Sequence, residues 1–273
     1  MDHDLDFYFR AADEVAIKAG EMIKEAFCQE KRIETKSSIA DLVTETDKAV
    51  EDLIINTLKE KFPSHKFIGE ESVAAGKKCE LTDDPTWIID PIDGTSNFVH
   101  RFPHTAVCIG LLINKQTEIG IVYNPIKEEK YFARRGKGAF CNQEKLQATN
   151  TTDLGQALIM TEFGSQRNAA VLDSRLRTMR TLIDKAHGLR SCGSAAVSMV
   201  MVAAGNADAY FEFGIHCWDM AAAELIVREA GGIVISPSGE PLDLMARKVL
   251  CAGTKELALQ MVPHIEQIDF ERD

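Results

Sequence analysis

The sequence has no surplus of positive charge. Its 273 residues include 31 lysine and arginine side chains against 42 aspartate and glutamate side chains, which gives a net charge of −11. Nucleic acids and anionic membrane surfaces are bound by clustered positive charge, so the composition argues against both as partners. A small phosphorylated molecule remains compatible with this charge, because bound metal can reverse the local field that such a molecule meets.

Signs of export, and of a disulfide or zinc scaffold, are also lacking. The seven cysteines are odd in number and scattered, and no C-x-x-C pair occurs. The first ten residues are acidic and have no basic start followed by an apolar run. The longest apolar stretches, such as residues 106–113, are too short to span a bilayer. We therefore expect a cytoplasmic protein in a reducing compartment, without membrane association.

Several well-known ligand-binding motifs are missing as well. The sequence contains neither a Walker phosphate loop nor a G-x-S-x-G nucleophile turn. Residues 136–138 begin like a dinucleotide fingerprint, but Cys141 occupies the position of the third glycine. A calcium-binding EF-hand loop fails in the same way, because Ile92 stands where an oxygen ligand is needed.

The residues that are present describe an ordinary globular protein, 45% hydrophobic and 27% charged, which is long enough to bury a core without cross-links. Apolar residues at three- and four-residue steps predict a helix over 5–27. Thr46 is a candidate N-cap for a second helix that runs through Leu58. Short apolar runs that end in turns then predict strands at 67–68, 87–89, 106–113, 119–123 and 131–133.

Strands and helices alternate in the second half of the chain. The pattern predicts strands at 157–161, near 189, and at 207–212, 234–235 and 249–250, with helices at 169–185, 195–204 and 219–230. No repeat or linker separates an N-terminal half of about 1–145 from a C-terminal half of about 146–273. We therefore expect residues 1–273 to form one compact catalytic α/β unit.

A pair of carboxylates follows one of the predicted strands. In the segment 87–95, a buried strand runs into a turn that carries Asp90 and Asp93, three residues apart. Pro91 restricts the backbone in this turn, while Gly94 permits a tight turn or the close approach of a ligand. The segment therefore has the features of a ligand-binding strand end.

Two further carboxylates occupy comparable positions. Glu70 follows another apolar strand, and Asp219 stands where a helix is predicted to begin. Oxygen ligands without histidine or cysteine suit a hard cation. Mg²⁺ fits best, because it is held by carboxylates, keeps several waters and is often completed by a substrate phosphate. The sequence therefore predicts a Mg²⁺ site.

Each of these acidic residues also has a simpler interpretation. Carboxylate pairs at a spacing of three are common among 42 acidic residues, and most such pairs are solvated. Taken alone, Asp219 is better explained as a helix N-cap or first-turn acid, and Asp47 as a favourable charge at a helix start. What favours a functional site for Asp90 and Asp93 is their position after a continuous apolar run, together with Pro91, Gly94 and Thr95.

Taken together, these segments resemble the inositol monophosphatase family, and its animal-type members in particular. Residues 69–72, 87–97 and 218–222 carry the match, with further agreement at 36–38, 41–47, 98–103, 136–142 and 214–218. The resemblance covers nearly the whole chain. Ser96 departs from the threonine that relatives often carry, at a position that varies in the family. Residues from about 168 to 185 contain no recognised motif, and no function is carried over to them.

The resemblance implies a layered αβαβα fold of the inositol monophosphatase / fructose bisphosphatase type, a homodimer, Mg²⁺ dependence and inhibition by lithium. It implies that Glu70, Asp90 and the carbonyl of Ile92 hold one metal. Asp90, Asp93 and Asp219 would hold a second. Glu70 would also help to hold a third, weakly bound ion through water.

The resemblance also implies how a small phosphate ester is bound. Gly94 and Thr95 would present backbone N–H groups to the phosphate, as helix starts commonly do. The residues implied on the substrate side are Asp93, Asp219, Gly193, Ser194, Ala195 and Glu212, with Ser165 on the pocket wall.

The implied activity is hydrolysis of myo-inositol monophosphate to myo-inositol and phosphate by metal-activated water, a reaction of inositol metabolism and phosphatidylinositol signalling. Thr95 and Asp47 would form a relay that takes a proton from the water, which Glu70 helps to hold. His216 and Cys217 are assigned structural or pocket-edge roles, because an oxygen-only site uses neither.

Two alternatives remain open at this point. The first is a related lithium-sensitive phosphatase that acts on a sugar phosphate or a nucleotide 3′-phosphate, although the extra polar or basic residues expected around a larger pocket are not seen. The second is a protein that has kept the fold and lost the chemistry. The presence of every expected metal and relay residue argues against this second alternative.

Overall fold

The computed structural model describes residues 4–31, 33–36 and 42–273. Within this part of the chain, the α-helices are α1 (Leu5–Phe27), α2 (Glu45–Lys61), α3 (Glu70–Ala74), α4 (Thr95–His100), α5 (Ala169–Ile183), α6 (Ala195–Ala203), α7 (Cys217–Glu229) and α8 (Lys255–Met261). The strands are β1 (Ile33–Thr35), β2 (Leu42–Thr44), β3 (Lys66–Gly69), β4 (Thr86–Asp93), β5 (Ala106–Ile113), β6 (Gln116–Asn124), β7 (Glu129–Arg134), β8 (Ala139–Cys141), β9 (Glu144–Lys145), β10 (Leu158–Thr161), β11 (Gly188–Arg190), β12 (Ala209–Phe213), β13 (Ile233–Ile235) and β14 (Lys248–Ala252).

Two mixed sheets organise the molecule. The larger has seven strands in the order β3-β4-β5-β6-β7-β8-β9, in which only β3 and β4 pair in parallel. The smaller has five strands in the order β11-β10-β12-β14-β13, in which β10 pairs in parallel with both β11 and β12. The strands β1 and β2 form a separate antiparallel pair.

Helices cover both faces of each sheet, and clusters of buried apolar side chains fill the spaces between the layers. The helices α1 and α2 pack on the outer face of the larger sheet. The helices α6 and α7 lie between the two sheets, and α5 and α8 cover the outer face of the smaller sheet. This order of layers is αβαβα, so the predicted fold class is confirmed.

The ends of the first two helices follow from their capping residues. The side chain of Asp4 accepts the N–H of Phe7 at the start of α1, a helix predicted with these bounds. The predicted cap of α2 was wrong, because the N-cap is Thr44 rather than Thr46. Thr44 and Asp47 form a capping box, and this reciprocal pairing starts the helix two residues earlier than the apolar pattern indicates.

The helix α7 lies unusually close to the larger sheet. Gly120 of β6 has no side chain, and a Cβ atom built there would come within 2.2 Å of the carbonyl oxygen of Ala222 in α7. Gly110 of β5 meets Ala221 in a similar way, with a built Cβ 3.2 Å from that residue's own Cβ. The two glycines therefore let the helix backbone approach the sheet at Ala221 and Ala222, directly after its first turn.

Short elements account for most of the differences from the predicted pattern. The helices α3, α4 and α8 and the strands β8 and β9 were not predicted, because segments this short contain too few apolar positions to show a period. The helix α7 begins at Cys217, two residues before the predicted start. Residues 37–41, which belong to the predicted polar loop and to the segments that agree with the family, lie outside the described residues. Among the helices of the described part, none combines the length and the apolar character needed to cross a membrane.

Candidate active site

The predicted carboxylate ligands come from the ends of neighbouring elements. Glu70 is the first residue of α3, directly after β3, while Asp90 and Asp93 lie in the last half of β4. Asp219 lies in the first turn of α7. Because β3 and β4 run in parallel, Glu70 and the two aspartates of β4 emerge at the same edge of the sheet. The structure therefore brings together residues that lie far apart in the sequence.

A register shift in β4 accompanies the approach of its two aspartates to Asp219. The pairing of β4 with β5 shifts register between Asp90 and Asp93, where Pro91 interrupts the ladder. Asp90 is 1% exposed and Asp93 is 6% exposed. One carboxylate oxygen from each of Asp90, Asp93 and Asp219 lies within 4.8 Å of the others. Three acidic groups thus share one small, largely buried space.

Burial raises the pKa values of these acids, and their mutual repulsion adds to the effect. The pKa of Asp93 rises to about 7, chiefly through burial and then through the charge of Asp219. Burial also raises the pKa of Glu70 to about 8, although the positive charge of Lys36 acts to lower it. Burial, followed by the surrounding carboxylates, holds the pKa of Asp90 well above its ordinary range. A hard divalent cation would relieve this repulsion, so the donor set fits such an ion.

Lys36 is the cation that the described structure places at this cluster. Its ammonium group lies 2.7 Å from a carboxylate oxygen of Glu70 and 2.6 Å from one of Glu71. Burial lowers the pKa of Lys36, but the charges and hydrogen bonds of the two glutamates outweigh burial and raise the pKa above its ordinary value. Lys36 therefore remains charged and holds Glu70 at the edge of the aspartate cluster.

Thr95 and Asp47, the predicted relay, are in contact. The Thr95 hydroxyl lies 3.1 Å from Oδ1 of Asp47 and 3.1 Å from the carbonyl oxygen of Ile92. Asp47 is 1% exposed, and burial raises its pKa to about 6. Its other oxygen accepts the N–H and the hydroxyl of Thr44 in the capping box. Asp47 therefore lies at a helix start, as its simpler interpretation states, where it pairs with the N-cap Thr44, and it contacts Thr95 as well.

Gly94 occupies a turn that other residues cannot easily adopt. Its φ of 83° lies in the left-handed region, directly before α4. A Cβ atom there would lie 2.9 Å from the carbonyl oxygen of His104 and 3.1 Å from that of Gly193. The turn is therefore closed on two sides by backbone, which explains the need for glycine at this position.

Asp93 also holds the start of α6. It accepts the hydroxyl of Ser194 and the backbone N–H groups of Ala195, at 3.3 Å, and Ala196, at 2.8 Å. The carboxylate that faces the acidic cluster thus also binds the first residues of α6, whose N-cap is Ser194. Gly193 directly precedes this cap, with a φ of 79°.

Glu212 lies on β12, on the far side of the site from β4. Its side chain is buried and accepts the hydroxyl of Tyr210. Burial raises its pKa well above the ordinary range, the charge of Glu162 adds to this rise, and Arg175 opposes it. Glu212 therefore presents a carboxyl group at the wall opposite the aspartate cluster.

A cleft of about 620 Å³ joins these groups, and Asp47 lies behind Thr95 rather than in the cleft. The predicted residues that line the cleft are Glu70, Asp90, Ile92, Asp93, Gly94, Thr95, Ser165, Gly193, Ser194, Ala195, Glu212 and Asp219. Every predicted metal or substrate residue therefore borders one space.

Some residues of this space were not predicted from the sequence. Glu162 and Asn97 line the cleft and hold its walls through several hydrogen bonds, and Arg167 lies at its rim. Glu162 directly follows the buried strand β10. A polar residue after a buried strand is the signal that identified Asp90, so Glu162 was within reach of the same reasoning.

His216 and Cys217 lie at the start of α7, shortly before Asp219, and contact neighbouring residues there. The ring of His216 stacks on Trp218, with centroids 4.4 Å apart, and its Nδ1 lies 2.6 Å from a carboxylate oxygen of Asp273. The N–H of Cys217 donates to the other oxygen of Asp273 over 2.8 Å. Both residues thus stabilise the start of α7 through side-chain and backbone contacts.

Comparison with known proteins identifies the family of the chain. Residues 4–269 match the model of the Inositol monophosphatase family. The chain is 53% identical to human inositol monophosphatase 2, over 97% of this chain and 92% of the relative, and 52% identical to human inositol monophosphatase 1, over 95% and 94%. Its fold matches the inositol monophosphate-bound structure of SaIMPase-II, from Staphylococcus aureus, with a TM-score of 0.77, 28% identity and coverage of 94% and 93%. The chain belongs to the inositol monophosphatase family.

Proposed function

We propose that the protein is a Mg²⁺-dependent phosphatase that hydrolyses myo-inositol monophosphate to myo-inositol and phosphate. The observation that carries the proposal is the buried group Asp90, Asp93 and Asp219, which opens on a cleft beside the Thr95–Asp47 contact. The animal relatives named inositol monophosphatase cover nearly the whole chain and support the same substrate.

The chain's own carboxylates would hold the metal. In this proposal Glu70, Asp90 and the Ile92 carbonyl hold one ion, and Asp90, Asp93 and Asp219 hold a second. Bound Mg²⁺ supplies charge neutralisation for the phosphate, a lowered pKa for bound water and stabilisation of the leaving oxygen. Since the aspartates are committed to metal, the proposal includes no covalent phosphoenzyme.

Thr95 and Asp47 would manage the proton. Oγ of Thr95 accepts a proton from the attacking water as its own hydroxyl proton passes to Oδ1 of Asp47, 3.1 Å away. Glu70, held by Lys36, positions that water at the cluster edge. The backbone N–H groups of Gly94 and Thr95 face the phosphate and add partial positive charge without taking part in proton transfer.

The opposite wall of the cleft would bind the alcohol. Gly193, Ser194, Ala195 and Glu212 contribute polar groups there, with Asp93 and Asp219 also within reach and Ser165 at the rim. Buried polar groups discriminate strongly against a substrate that leaves them unpaired, so a polyhydroxylated ring suits this wall.

A comparison of three substrates tests this proposal. Phosphate release is measured from inositol 1-phosphate, galactose 1-phosphate and 3′-phosphoadenosine phosphate, each with Mg²⁺ and after exhaustive chelation. We expect inositol 1-phosphate to be preferred and chelation to abolish all turnover, with recovery on addition of Mg²⁺. Preference for either other ester would establish the related sugar-phosphate or nucleotide activity instead, and full activity after chelation would exclude the metal mechanism.

The remaining properties concern the whole molecule. We propose a cytoplasmic homodimer in which residues 1–273 form one catalytic unit, because the two halves of the chain contribute residues to a single cleft. All seven thiols are free, as a reducing compartment would require. The proposal also includes inhibition by lithium at subsaturating Mg²⁺. Light scattering in solution tests the dimer, and a phosphate-release titration with lithium tests the inhibition.

A further inference from the structure

One carboxylate collects the hydrogen-bond donors of the turn between β11 and α6. Glu162 accepts the backbone N–H groups of Cys192 and Gly193, each over 2.9 Å. It also accepts the hydroxyl of Ser191 and, over 2.9 Å, that of Ser198. Glu162 itself is 7% exposed. A single buried side chain thus fixes the turn that leads to Ser194 and Ala195.

The two oxygens of Glu162 divide these donors evenly. Oε1 accepts the Cys192 N–H and the Ser198 hydroxyl, while Oε2 accepts the Gly193 N–H and the Ser191 hydroxyl. Each oxygen therefore receives one backbone N–H, which cannot rotate away. Only a group with two acceptor atoms and no donor satisfies this pair.

Asn97 holds the same turn from the other side. Its side-chain amide donates to the carbonyl oxygen of Cys192 over 2.7 Å and to that of His104 over 2.7 Å. Gly193 lies so close to Asn97 that a Cβ atom would come within 2.7 Å of Oδ1. The turn between β11 and α6 is therefore held by Glu162 on one side and by Asn97 of α4 on the other.

We propose that Glu162 is a positioning residue for substrate discrimination. It holds Gly193, Ser194 and Ala195 in the position in which they face the polyhydroxylated ring. This inference rests on the proposed function, since it concerns the alcohol side of the same cleft. Glu162 lies on the wall opposite the aspartate cluster and makes no hydrogen bond to Asp90, Asp93 or Asp219 within the described residues. Its effect on the ring is exerted through the turn.

Glu162→Gln is the sharpest test, because the substitution keeps size and shape. The glutamine amide has one acceptor and one NH₂ group, so in either orientation the NH₂ group faces one of the two backbone N–H groups. One half of the turn must then move, while Asp90, Asp219 and Thr95 keep their own contacts.

Glu229→Gln is the matched control. Glu229, at the other end of α7 from Asp219, accepts the N–H of Gly136 on one oxygen and that of Gly138 on the other, over 2.8 and 2.7 Å. The same chemistry is disturbed there, but none of these three residues lines the cleft. The control therefore reports the general cost of this substitution.

The experiment measures kcat and KM for inositol 1-phosphate and for phenyl phosphate, an ester without ring hydroxyls, at saturating Mg²⁺. For Glu162→Gln we expect kcat/KM for inositol 1-phosphate, divided by kcat/KM for phenyl phosphate, to fall about tenfold. The fall should come mainly from a higher KM for inositol 1-phosphate. Glu229→Gln should leave the ratio unchanged. An equal loss on both esters for Glu162→Gln would show that Glu162 is only structural and would overturn the inference.

A milder variant keeps the test decisive if Glu162→Gln folds poorly. Ser198 is 0% exposed, lies on α6 outside the cleft lining and reaches the turn through Glu162 and Cys192. Ser198→Ala should lower the same ratio by about two- to threefold, the scale of one lost hydrogen bond. An unchanged ratio would overturn the inference. A wild-type protein that cleaves phenyl phosphate but not inositol 1-phosphate would instead overturn the proposed function, and the inference with it.

Discussion

The hydroxyl of Thr95 lies 3.1 Å from Oδ1 of Asp47, 48 positions earlier in the chain. The contact joins the first residue of α4 to the first turn of α2. Because Oδ2 of Asp47 is occupied by Thr44, the two oxygens of this carboxylate serve different partners. The proposed proton relay and the helix cap are therefore separable by substitution.

Thr95→Ala should remove the relay while leaving the cap intact. We expect kcat for inositol 1-phosphate to fall by ~10²–10⁴-fold, the usual range for general-base assistance, with little change in the Mg²⁺ concentration for half-maximal activity. Asp47→Asn should show the same kinetic loss and a lower melting temperature. Steady-state kinetics and thermal denaturation on the same preparations measure both effects.

Thr44→Ala is the control for this pair. It removes the side chain that caps α2 but not the acceptor of the Thr95 hydroxyl, so it should cost about 1 kcal/mol of stability and leave kcat near that of the wild type. Near-normal kcat in Thr95→Ala would end the relay hypothesis.

Asp93→Asn and Asp219→Asn should each abolish most activity in a folded protein. Both residues are assigned to one cation, so the double variant should be little worse than either single variant. Mg²⁺ titrations of phosphate release measure the loss. Asp208→Asn is a suitable control, because Asp208 is also buried but does not line the cleft. Its carboxylate accepts the N–H of Leu158 in a hydrogen bond of 2.7 Å. Multiplicative losses for the two site residues would assign them to separate functions.

The metal-free protein should lose stability as the pH rises. Folding raises the pKa of Asp93 from 3.8 to about 7 and that of Glu70 from 4.5 to about 8. Between these limits the folded state retains protons that the unfolded chain has released, so the free energy of unfolding falls as pH increases through this window. We expect the melting temperature without metal to decrease from pH 5 to pH 8. The stabilisation by Mg²⁺ should grow over the same range, because protons compete with the ion.

The double variant Asp93→Asn, Glu70→Gln is the control for the pH dependence. It removes two of the acids with raised pKa values, so its melting temperature without metal should vary less over this range than that of the wild type. Differential scanning calorimetry at several pH values measures both proteins. Identical slopes would show that the dependence arises elsewhere.

Gly94→Ala should impair both folding and catalysis. The substitution places a Cβ atom 2.9 Å from the carbonyl oxygen of His104, in addition to the backbone strain of a φ of 83°. Gly136 has a φ of 71° and no atom within 4 Å of a built Cβ, so Gly136→Ala measures the backbone strain alone, about 1 kcal/mol. Gly94→Ala should cost about 1–3 kcal/mol more and lower kcat. Equal melting temperatures and normal kcat in both variants would contradict the described turn.

The sequence was most informative where a long buried element ends in polar residues. The apolar run at 87–89, followed by Pro91 and Gly94, made the positions of Asp90 and Asp93 predictable without a structure. The contact of Asp47 with Thr95 was expected only from family resemblance. No local pattern relates the start of one helix to the start of another, because the distance between them is set by the packing of both on the larger sheet.

Other features depend on tertiary contacts that a local pattern does not contain. The start of α2 was misplaced because Thr44 and Thr46 are both acceptable caps, and the choice depends on the pairing of Thr44 with Asp47. The position of Glu162 after a buried strand could have been noticed in the sequence, but its partners could not, because Cys192 lies 30 residues further along. The role of Glu162 depends on those hydrogen bonds rather than on the residues next to it in the sequence.

The missing side chain of Gly120 has a consequence for cation choice. Ala222, whose carbonyl oxygen touches this position, lies one helical turn after Asp219 on α7. The contact that seats the helix on the sheet thus also sets how near the carboxylate of Asp219 comes to that of Asp90. Selectivity among divalent cations depends on the size and stiffness of the ligand cage. In the proposed site, the thickness of this apolar layer would govern the ionic radius that the three aspartates accept, and redesign for a larger ion would begin in the core.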